Sequence, residues 1–318
     1  MNELTQRETP ELRRLVHEHH DACVSCKRPF REAETAHSGY LKDGTPSYVC
    51  AACSGELAET AARTYFMPRP YSVPDAKAKL WRYMDFTKYV SLLSSCGLYF
   101  ARADCFEDTF EGAKGLRRNK KRWDNHYSAY FREAIKNPPE GYKFEMTEAE
   151  LDQQVVKLVQ DLEAGGEYFR KRNYISCWHE SAHESEAMWR LYSSFLPNAV
   201  SVRTTYDGLY RSLGRNPDIS IGRVQYIDLK TTYAGVNDAF WRKRKSFEHE
   251  REVRALTLDF DCAQPGKLVP CDLSVLIEEV FVSPKSPEWF VALVNDVNAK
   301  YGIPLRVSSS ELIEEPFF

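Results

Sequence analysis

Four cysteines stand as two Cys-x-x-Cys pairs, Cys23 with Cys26 and Cys50 with Cys53. Four thiolates at this spacing can close a tetrahedral zinc site, and a site with four protein ligands keeps no position open for substrate. The metal expected is therefore a structural Zn2+. The chain between the pairs, CVSCKRPFREAETAHSGYLKDGTPSYVCAAC, is rich in turn residues and short of aliphatic ones. It has almost no core of its own, so metal binding would supply its folding energy. His17, His19, His20 and His37 lie close by and could substitute as ligands, but four Cys already suffice. The total of nine Cys is odd, and a CxxC framework of this kind points to metal in a reducing, cytoplasmic compartment rather than to disulfides.

A second string, HESAH (His179 to His183), spells the H-E-x-x-H of zinc peptidases. That chemistry needs both histidines on one face of a helix, one turn apart, with the Glu as base. Here the string follows Tyr174-Ile175-Ser176-Cys177-Trp178, a run of strand character, and is followed by Glu184, Ser185 and Glu186. Acids of that kind suit the first turn of a helix that begins after the motif. HESAH is therefore expected in a strand-to-helix loop, and the peptidase is the least favoured of three functions considered.

Three further places carry groups suited to phosphate and sugar chemistry. Arg82 lies in Trp81-Arg82-Tyr83, Ser176 in Ile175-Ser176-Cys177-Trp178, and Glu250 and Glu252 in FEHEREVR. Each has a plainer reading. Arg82 could pair with a surface acid and Ser176 could be a packed hydroxyl. Glu250 and Glu252 could form an ion-pair ladder with Arg251 and Arg254. Trp178, Met188, Trp189 and Tyr192 have the spacing of core residues, against a stacking role for Trp178. The acids Asp104, Glu107, Asp108 and Glu111 are expected to cap helices or to meet a substrate or metal. KGLRRNKKR (114–122) reads as a basic helix, a candidate nucleic-acid surface whose plain reading is a solvated face. Arg242 to Lys245 is a similar run that could serve phosphates near Glu250.

The elements that must hold these groups follow from the rest of the chain. With 43% hydrophobic and 28% charged residues among 318, a globular core is attainable. The formal net charge of −3 excludes a uniformly basic nucleic-acid coat. No run of about 18 apolar residues is present, and the N-terminus lacks the apolar region of a signal peptide, so no membrane segment is expected. Three prolines between Met67 and Pro74 mark a linker at 67–76, between a zinc module at 1–66 and a domain at 77–318.

Apolar spacing predicts helices at 11–22, 55–65, 86–95 (closed by Gly97), 113–136, 147–164, 184–195, 206–213, 238–245 and 287–300. Thr147 and Glu150 make a capping box at the start of the fifth of these. Strands are predicted at 80–83, 98–101, 174–178, 199–205, 219–228, 251–258 and 279–283. Strands and helices mixed without regular βαβ spacing point to an α+β fold with a largely antiparallel sheet core and peripheral helices.

LWRYMDF, LYFARADCFEDTFEG, YISCWHESAHESEAMWRLY, SVRTTYDGL, IGRVQYID and KRKSFEHEREVRAL together resemble the bacterial family called domain of unknown function 2971, over about residues 78–260. The zinc module lies outside that resemblance. More faintly, Arg on a first strand, a helix ending in a Leu-Leu…Gly-Leu phrase, Ser on a later strand and then Glu-x-Glu resemble the ADP-ribosyltransferase superfamily. That resemblance implies NAD as co-substrate. Arg82 would bind the pyrophosphate or nicotinamide ribose, and Ser176 would hold the NAD-binding strand and ribose; Trp178 is a further cofactor-binding candidate, as a nicotinamide stack. Glu252 would bond the ribose 2′-hydroxyl, and Glu250 would position the acceptor. Ser176 is followed by Cys-Trp rather than the Thr-Ser that often accompanies such a serine. The expectation is an NAD-using transferase, with a role as toxin or phage-defence effector implied by the family alone. The competing class is a non-enzymatic zinc protein that binds nucleic acid through 114–122 or the cysteine module. The acceptor, a protein or a nucleic acid, and the oligomeric state are open at this level.

Overall fold

The computed structural model describes residues 22–23, 25–30, 36–40, 46–53, 65–68, 70–137, 145–193, 197–216, 218–303 and 305–318. The helix expected at 11–22 and that at 55–65 fall outside these residues, apart from Ala22 and Tyr65. Three short strands, β1 (His37–Tyr40), β2 (Pro46–Val49) and β3 (Tyr65–Pro68), form an antiparallel sheet in the order β2-β1-β3. Met67 and Pro68, at the start of the Pro-rich stretch, therefore belong to a paired strand.

From residue 79 onward the elements are β4 (Lys79–Asp85), α1 (Phe86–Ser95), β5 (Gly97–Arg102), α2 (Lys120–Lys136), α3 (Glu148–Arg170), β6 (Asn173–Glu180) and α4 (Glu186–Ser193). They continue with β7 (Ala199–Thr205), α5 (Tyr206–Ser212), β8 (Ile219–Arg223), β9 (Gln225–Ile227), β10 (Arg242–Arg244), β11 (Glu252–Leu258) and β12 (Gly266–Pro270). α6 (Leu273–Leu276), β13 (Glu279–Val282), α7 (Glu288–Lys300) and β14 (Val307–Ser309) complete the chain. Nine strands form one mixed sheet, antiparallel except for the β13–β14 pair. This is the α+β architecture expected.

Alternation along the strands gives the sheet two apolar faces. On one, Leu80, Met84, Trp178, Val200, Val202, Val253 and Ala255 pack with Tyr89, Leu92 and Leu93 of α1 and Phe290 and Val294 of α7. On the other, Trp81, Tyr83 and Phe281 meet Met188 and Trp189 of α4. Burying each such side chain stabilises the fold by roughly 1.5–3 kcal/mol before the entropy of ordering is set against it.

Local signals placed several boundaries well. Asp85 caps α1 by accepting from the Lys88 amide at 2.9 Å, and the Thr147–Glu150 capping box is complete.

Four expectations are corrected. Cys96, not Gly97, takes the left-handed conformation that closes α1 (φ +45°). Gly97 already begins β5, where a Cβ would stand 3.4 Å from the Val269 carbonyl oxygen. The helix expected over 113–136 starts only at Lys120, after a 3-10 turn at Arg117–Asn119. There the Asn119 amide donates to the carbonyls of Leu229 and Lys230 and ties the chain to the 229–234 loop. The strand expected over 219–228 breaks at buried Val224, whose N–H donates to the Glu252 carbonyl. The helix expected over 238–245 is a 3-10 turn (Ala239–Trp241), the strand β10 and a second 3-10 stretch (Lys245–Glu250), because β10 pairs with β9.

Candidate functional site

The site is built around β6. One edge of β6 pairs with β11 along its full length, Glu252 opposite His179 and Leu258 opposite Asn173. The other edge is shared. β4 pairs with its C-terminal end (Leu80 with Glu180, Trp81 with His179), and β5 with its N-terminal part (Ala101 with Ile175, Arg102 with Tyr174). Between these ladders, residues 176–178 have no strand partner on that edge. The sheet parts there, and a cavity of about 600 Å3 opens in the gap. Arg82, Ser91, Tyr99, Cys177, Trp178, His179, Tyr192, Lys243, Glu250 and Glu252 are among its lining residues. Its size and mixed lining are those of a small-molecule or cofactor site.

Arg82 spans the parting. Its Nη1 donates to Ser176 Oγ at 2.6 Å and its Nη2 to the Tyr99 carbonyl at 3.0 Å, which links β4, β6 and β5. The guanidinium lies 5.7 Å from the Trp178 ring. No carboxylate pairs with it among the described residues, so its expected plain role, a surface ion pair, is not what the structure shows. Burial draws its pKa down from the ordinary arginine value, yet a guanidinium stays charged at any working pH. Arg82 is thus a half-buried cation with two neutral partners. The indole N–H of buried Trp178 has no hydrogen-bond partner among the described residues.

Across β6 lies an acidic cluster. Glu252 is 4% exposed and Arg254 fully buried. Arg254 Nε donates to Glu252 Oε1 at 2.5 Å, and Lys243 Nζ stands 3.3 Å from Glu252 Oε2. Lys243 also bonds Glu250. Burial alone would raise the Glu252 pKa, but Arg254 and Lys243, with a bond from the Cys177 thiol, outweigh it and hold the carboxyl at about 2. Glu252 is therefore ionised across the physiological range. Glu111, 2% exposed, forms a two-bond pair with Arg254 at 2.6 and 2.8 Å. Glu111, Glu250 and Glu252 stand against Lys243 and Arg254, three acids to two bases and a formal charge of −1, and burial raises the Glu111 pKa against the pull of Arg254.

Backbone geometry keeps the two glutamates together. Glu250 ends the 3-10 stretch, and Arg251 follows in the left-handed conformation (φ +40°). The pair is thus not a plain i, i+2 alternation on one strand. His179 Nδ1 lies 2.6 Å from the Glu250 carbonyl. Burial lowers the His179 pKa, which leaves the neutral ring to donate to that carbonyl.

Of the predicted residues, Arg82, Trp178, Glu250 and Glu252 line one cavity, on the strands β4, β6 and β11 or at their ends, and buried Ser176 stands behind it, bonded to Arg82. Sequence reasoning gave Tyr99 no role, read His179 only as part of HESAH, offered Lys243 to phosphates where the structure has it on Glu250 and Glu252, and did not pair Arg254 with Glu111. The i, i+2 spacing of Glu252 and Arg254 was a usable signal. The Glu111–Arg254 contact spans 143 positions and leaves no local trace. The other loop acids do not cap helices: Asp104 pairs with Arg102 and Asp108 with Arg244. Arg242 and Arg244 pair with Asp238 and Asp108, so the 242–245 run mostly serves carboxylates.

HESAH is not a helix. His179 and Glu180 end β6, His183 is exposed in the loop, and α4 starts at Glu186. Glu180 is held by Arg223 through two bonds of 2.7 Å. Neither the geometry nor the free carboxylate of a peptidase is present.

The four cysteines do converge. Their sulfurs lie within 4.8 Å of one another, and Cys26 Sγ is 4.0 Å from Cys50 Sγ. A tetrahedral ion with Zn–S bonds of about 2.3 Å needs sulfurs roughly 3.8 Å apart, so the set fits zinc with little adjustment. Burial raises the Cys23 thiol, but the amides of Cys26 and Cys50 outweigh it and hold its pKa at about 6. Burial, with hydrogen bonds to the neighbouring thiols, pushes the Cys53 thiol up to about 12. Bound zinc would supply folding energy there and no catalysis, since all four ligand positions are filled. Among the described residues no helix is long and apolar enough to cross a membrane.

The basic stretch 114–122 is partly consumed within the fold. Lys114 donates to the Leu162 carbonyl, Lys120 pairs with Asp124 and Glu163, and Arg122 donates to the Thr231 carbonyl. Arg117, Arg118 and Lys121 remain exposed.

No protein-family model and no curated protein matches the chain. Among solved structures, DarT from Thermus sp. 2.9 in complex with ADP-ribosylated single-stranded DNA matches 77% of this chain and 100% of its own. The two are 9% identical, with a TM-score of 0.35. A likeness this slight says nothing of chemistry.

Proposed function

We propose that the cavity binds NAD and that the protein cleaves the nicotinamide–ribose bond and transfers ADP-ribose to an acceptor. One observation carries this reading. One cavity is lined on one side of β6 by Arg82, which has no carboxylate partner among the described residues, and on the other by Glu250 and Glu252 with Lys243, two acids against one base, with Arg254 buried behind Glu252. A dinucleotide has the complementary pattern. Its pyrophosphate is anionic and suits a planar guanidinium. Its ribose becomes cationic as nicotinamide leaves and is stabilised by a carboxylate already fixed and ionised beside it.

In this reading Arg82 binds phosphate or the nicotinamide ribose, with Ser176 orienting the guanidinium. Trp178 supports Arg82 and offers its N–H. Glu252 bonds the ribose 2′-hydroxyl, and Glu250 positions the acceptor. The four-cysteine module is a zinc-stabilised accessory. An effector role, as toxin or in phage defence, follows from the family resemblance alone.

The test is incubation of the folded protein with NAD labelled in the adenylate and, separately, in the nicotinamide, with single-stranded nucleic acid or protein offered as acceptor. Nicotinamide release should fall roughly 100-fold or more in Glu252→Gln. Equal release by wild type and mutant, or none by either, would overturn the reading. A second reading, a nucleic-acid-binding protein without turnover, is favoured by exposed Arg117, Arg118 and Lys121, which have no carboxylate partner among the described residues. It predicts binding that weakens steeply with salt and ignores Glu252→Gln.

A further inference from the structure

We propose that the buried pair Glu111–Arg254 is the positioning device that fixes the orientation of the Glu252 carboxylate. This rests on the NAD reading of the cavity and adds two residues to it, neither of which touches substrate.

All five N–H donors of Arg254 are engaged. Nε donates to Glu252 Oε1 at 2.5 Å. Nη2 donates to Glu252 Oε2 at 3.2 Å and to Glu111 Oε2 at 2.8 Å. Nη1 donates to Glu111 Oε1 at 2.6 Å and to the Phe240 carbonyl at 2.5 Å. Both oxygens of Glu252 thus lie on the edge of one planar group that is itself clamped from its other edge. A planar fork held at both edges sets the rotation of the carboxylate as well as its place. Lys243 also touches Glu252, but an ammonium is a point charge on a flexible stem and sets no plane.

The clamp has its own support. Glu111 is followed by Gly112, whose φ of +71° few other residues adopt. A Cβ at Gly112 would lie 2.5 Å from Cε1 of Phe240. The backbone that delivers Glu111 therefore packs directly on the residue whose carbonyl completes the Arg254 set. Phe240 and Glu111 come from loops far apart in sequence and close on Arg254 from two sides. Such an arrangement is excessive for structure alone at a point where β11 is already paired on both edges, by β6 and β8. It is what a carboxylate needs if it must not turn as charge develops on a bound sugar.

The experiment is steady-state nicotinamide release from NAD by the full chain, comparing wild type with Arg254→Lys and Glu111→Gln. Folded fraction is checked by urea melts, and reactions run where all three are more than nine-tenths folded. Arg254→Lys keeps the positive charge and loses the fork. It should lower kcat about 100-fold, leave the KM for NAD within about threefold, and move the acid limb of the kcat profile upward because Glu252 keeps fewer hydrogen bonds. Glu111→Gln keeps the shape and one acceptor, and should lower kcat by about tenfold with the same unchanged KM. Wild-type kcat in both folded variants, or a loss shared equally by kcat and 1/KM, would overturn the positioning role while leaving the NAD reading intact. A wild-type chain that releases no nicotinamide overturns the NAD reading, and this proposal with it.

Discussion

Arg82, which lines the cavity, and Arg254, fully buried behind Glu252, show how differently one side-chain type behaves around one site. Arg254 is surrounded by carboxylates and is a fixed part of the protein. Arg82 has a hydroxyl and a carbonyl for partners and keeps its charge for something else. The same contrast separates the acids. Glu252 is held as an ionised group by two cations, whereas Asp85 is held ionised by its own helix end. Burial pushes the Asp85 pKa up, but bonds from Lys88 and Thr87 outweigh it and set the value at about 2, against an ordinary 3.8. A depressed pKa contributes stability that is complete above the unfolded value and is lost as pH falls through the folded one. Asp85→Ala should therefore cost about 1 kcal/mol at neutral pH through loss of the cap. The gap between wild type and Asp85→Asn, measured by urea melts from pH 6 to pH 2, should be constant above about pH 4 and close as pH approaches 2.

At the scale of elements, β6 explains most of the site. It is paired completely on its β11 edge and incompletely on the other, so Ser176, Cys177 and Trp178 lie where β4 and β5 diverge. By alternation Ser176 and Trp178 point to one face and Cys177 and His179 to the other, and the parting lets one cavity reach both. β11 must be held flat against β6 for this to work, and β8 does so from the outside. In the middle of β8, Gly222 packs under the ring of Tyr71, which in turn sits against Trp241 at 4.1 Å. A Cβ at Gly222 would overlap that ring. Gly222→Ala should destabilise the protein by about 1–3 kcal/mol, seen as a lower denaturant midpoint, and should weaken NAD binding through the shifted β11. An unchanged midpoint would mean that Tyr71 turns away freely.

At the scale of the molecule, we propose that the cysteine module and the sheet domain are separate folding units, one held by metal and the other by its core. Among the described residues the cysteine group packs with Val49 and Phe30 as its apolar partners, so in this reading metal supplies most of what holds it. Purified protein should contain about one zinc per chain, and Cys50→Ser should remove it. A strong chelator should abolish the melting of the N-terminal unit and leave that of the sheet domain in place, as followed by calorimetry with and without chelator. Two zinc ions per chain, or complete unfolding on chelation, would contradict this division.

What the sequence determined by itself is whatever depends on neighbours along the chain. The Cys-x-x-Cys spacing, the Thr147 cap, the strand runs at β4, β6 and β7 and the polar flanks of HESAH are all local, and each was readable without coordinates. Even the candidate set of Arg82, Ser176 and Glu252 could be assembled in order, through resemblance. Only the tertiary structure decided which charges are spent and which remain available. KGLRRNKKR looked like one basic helix because its charges are local, but Lys114, Asn119 and Arg122 answer to carbonyls from elsewhere, and the helix starts only at Lys120. Glu111 looked like a loop acid because its partner lies 143 positions away. Pairing energies for buried charges depend on separation in space and on exclusion of water, and neither quantity is written along the chain.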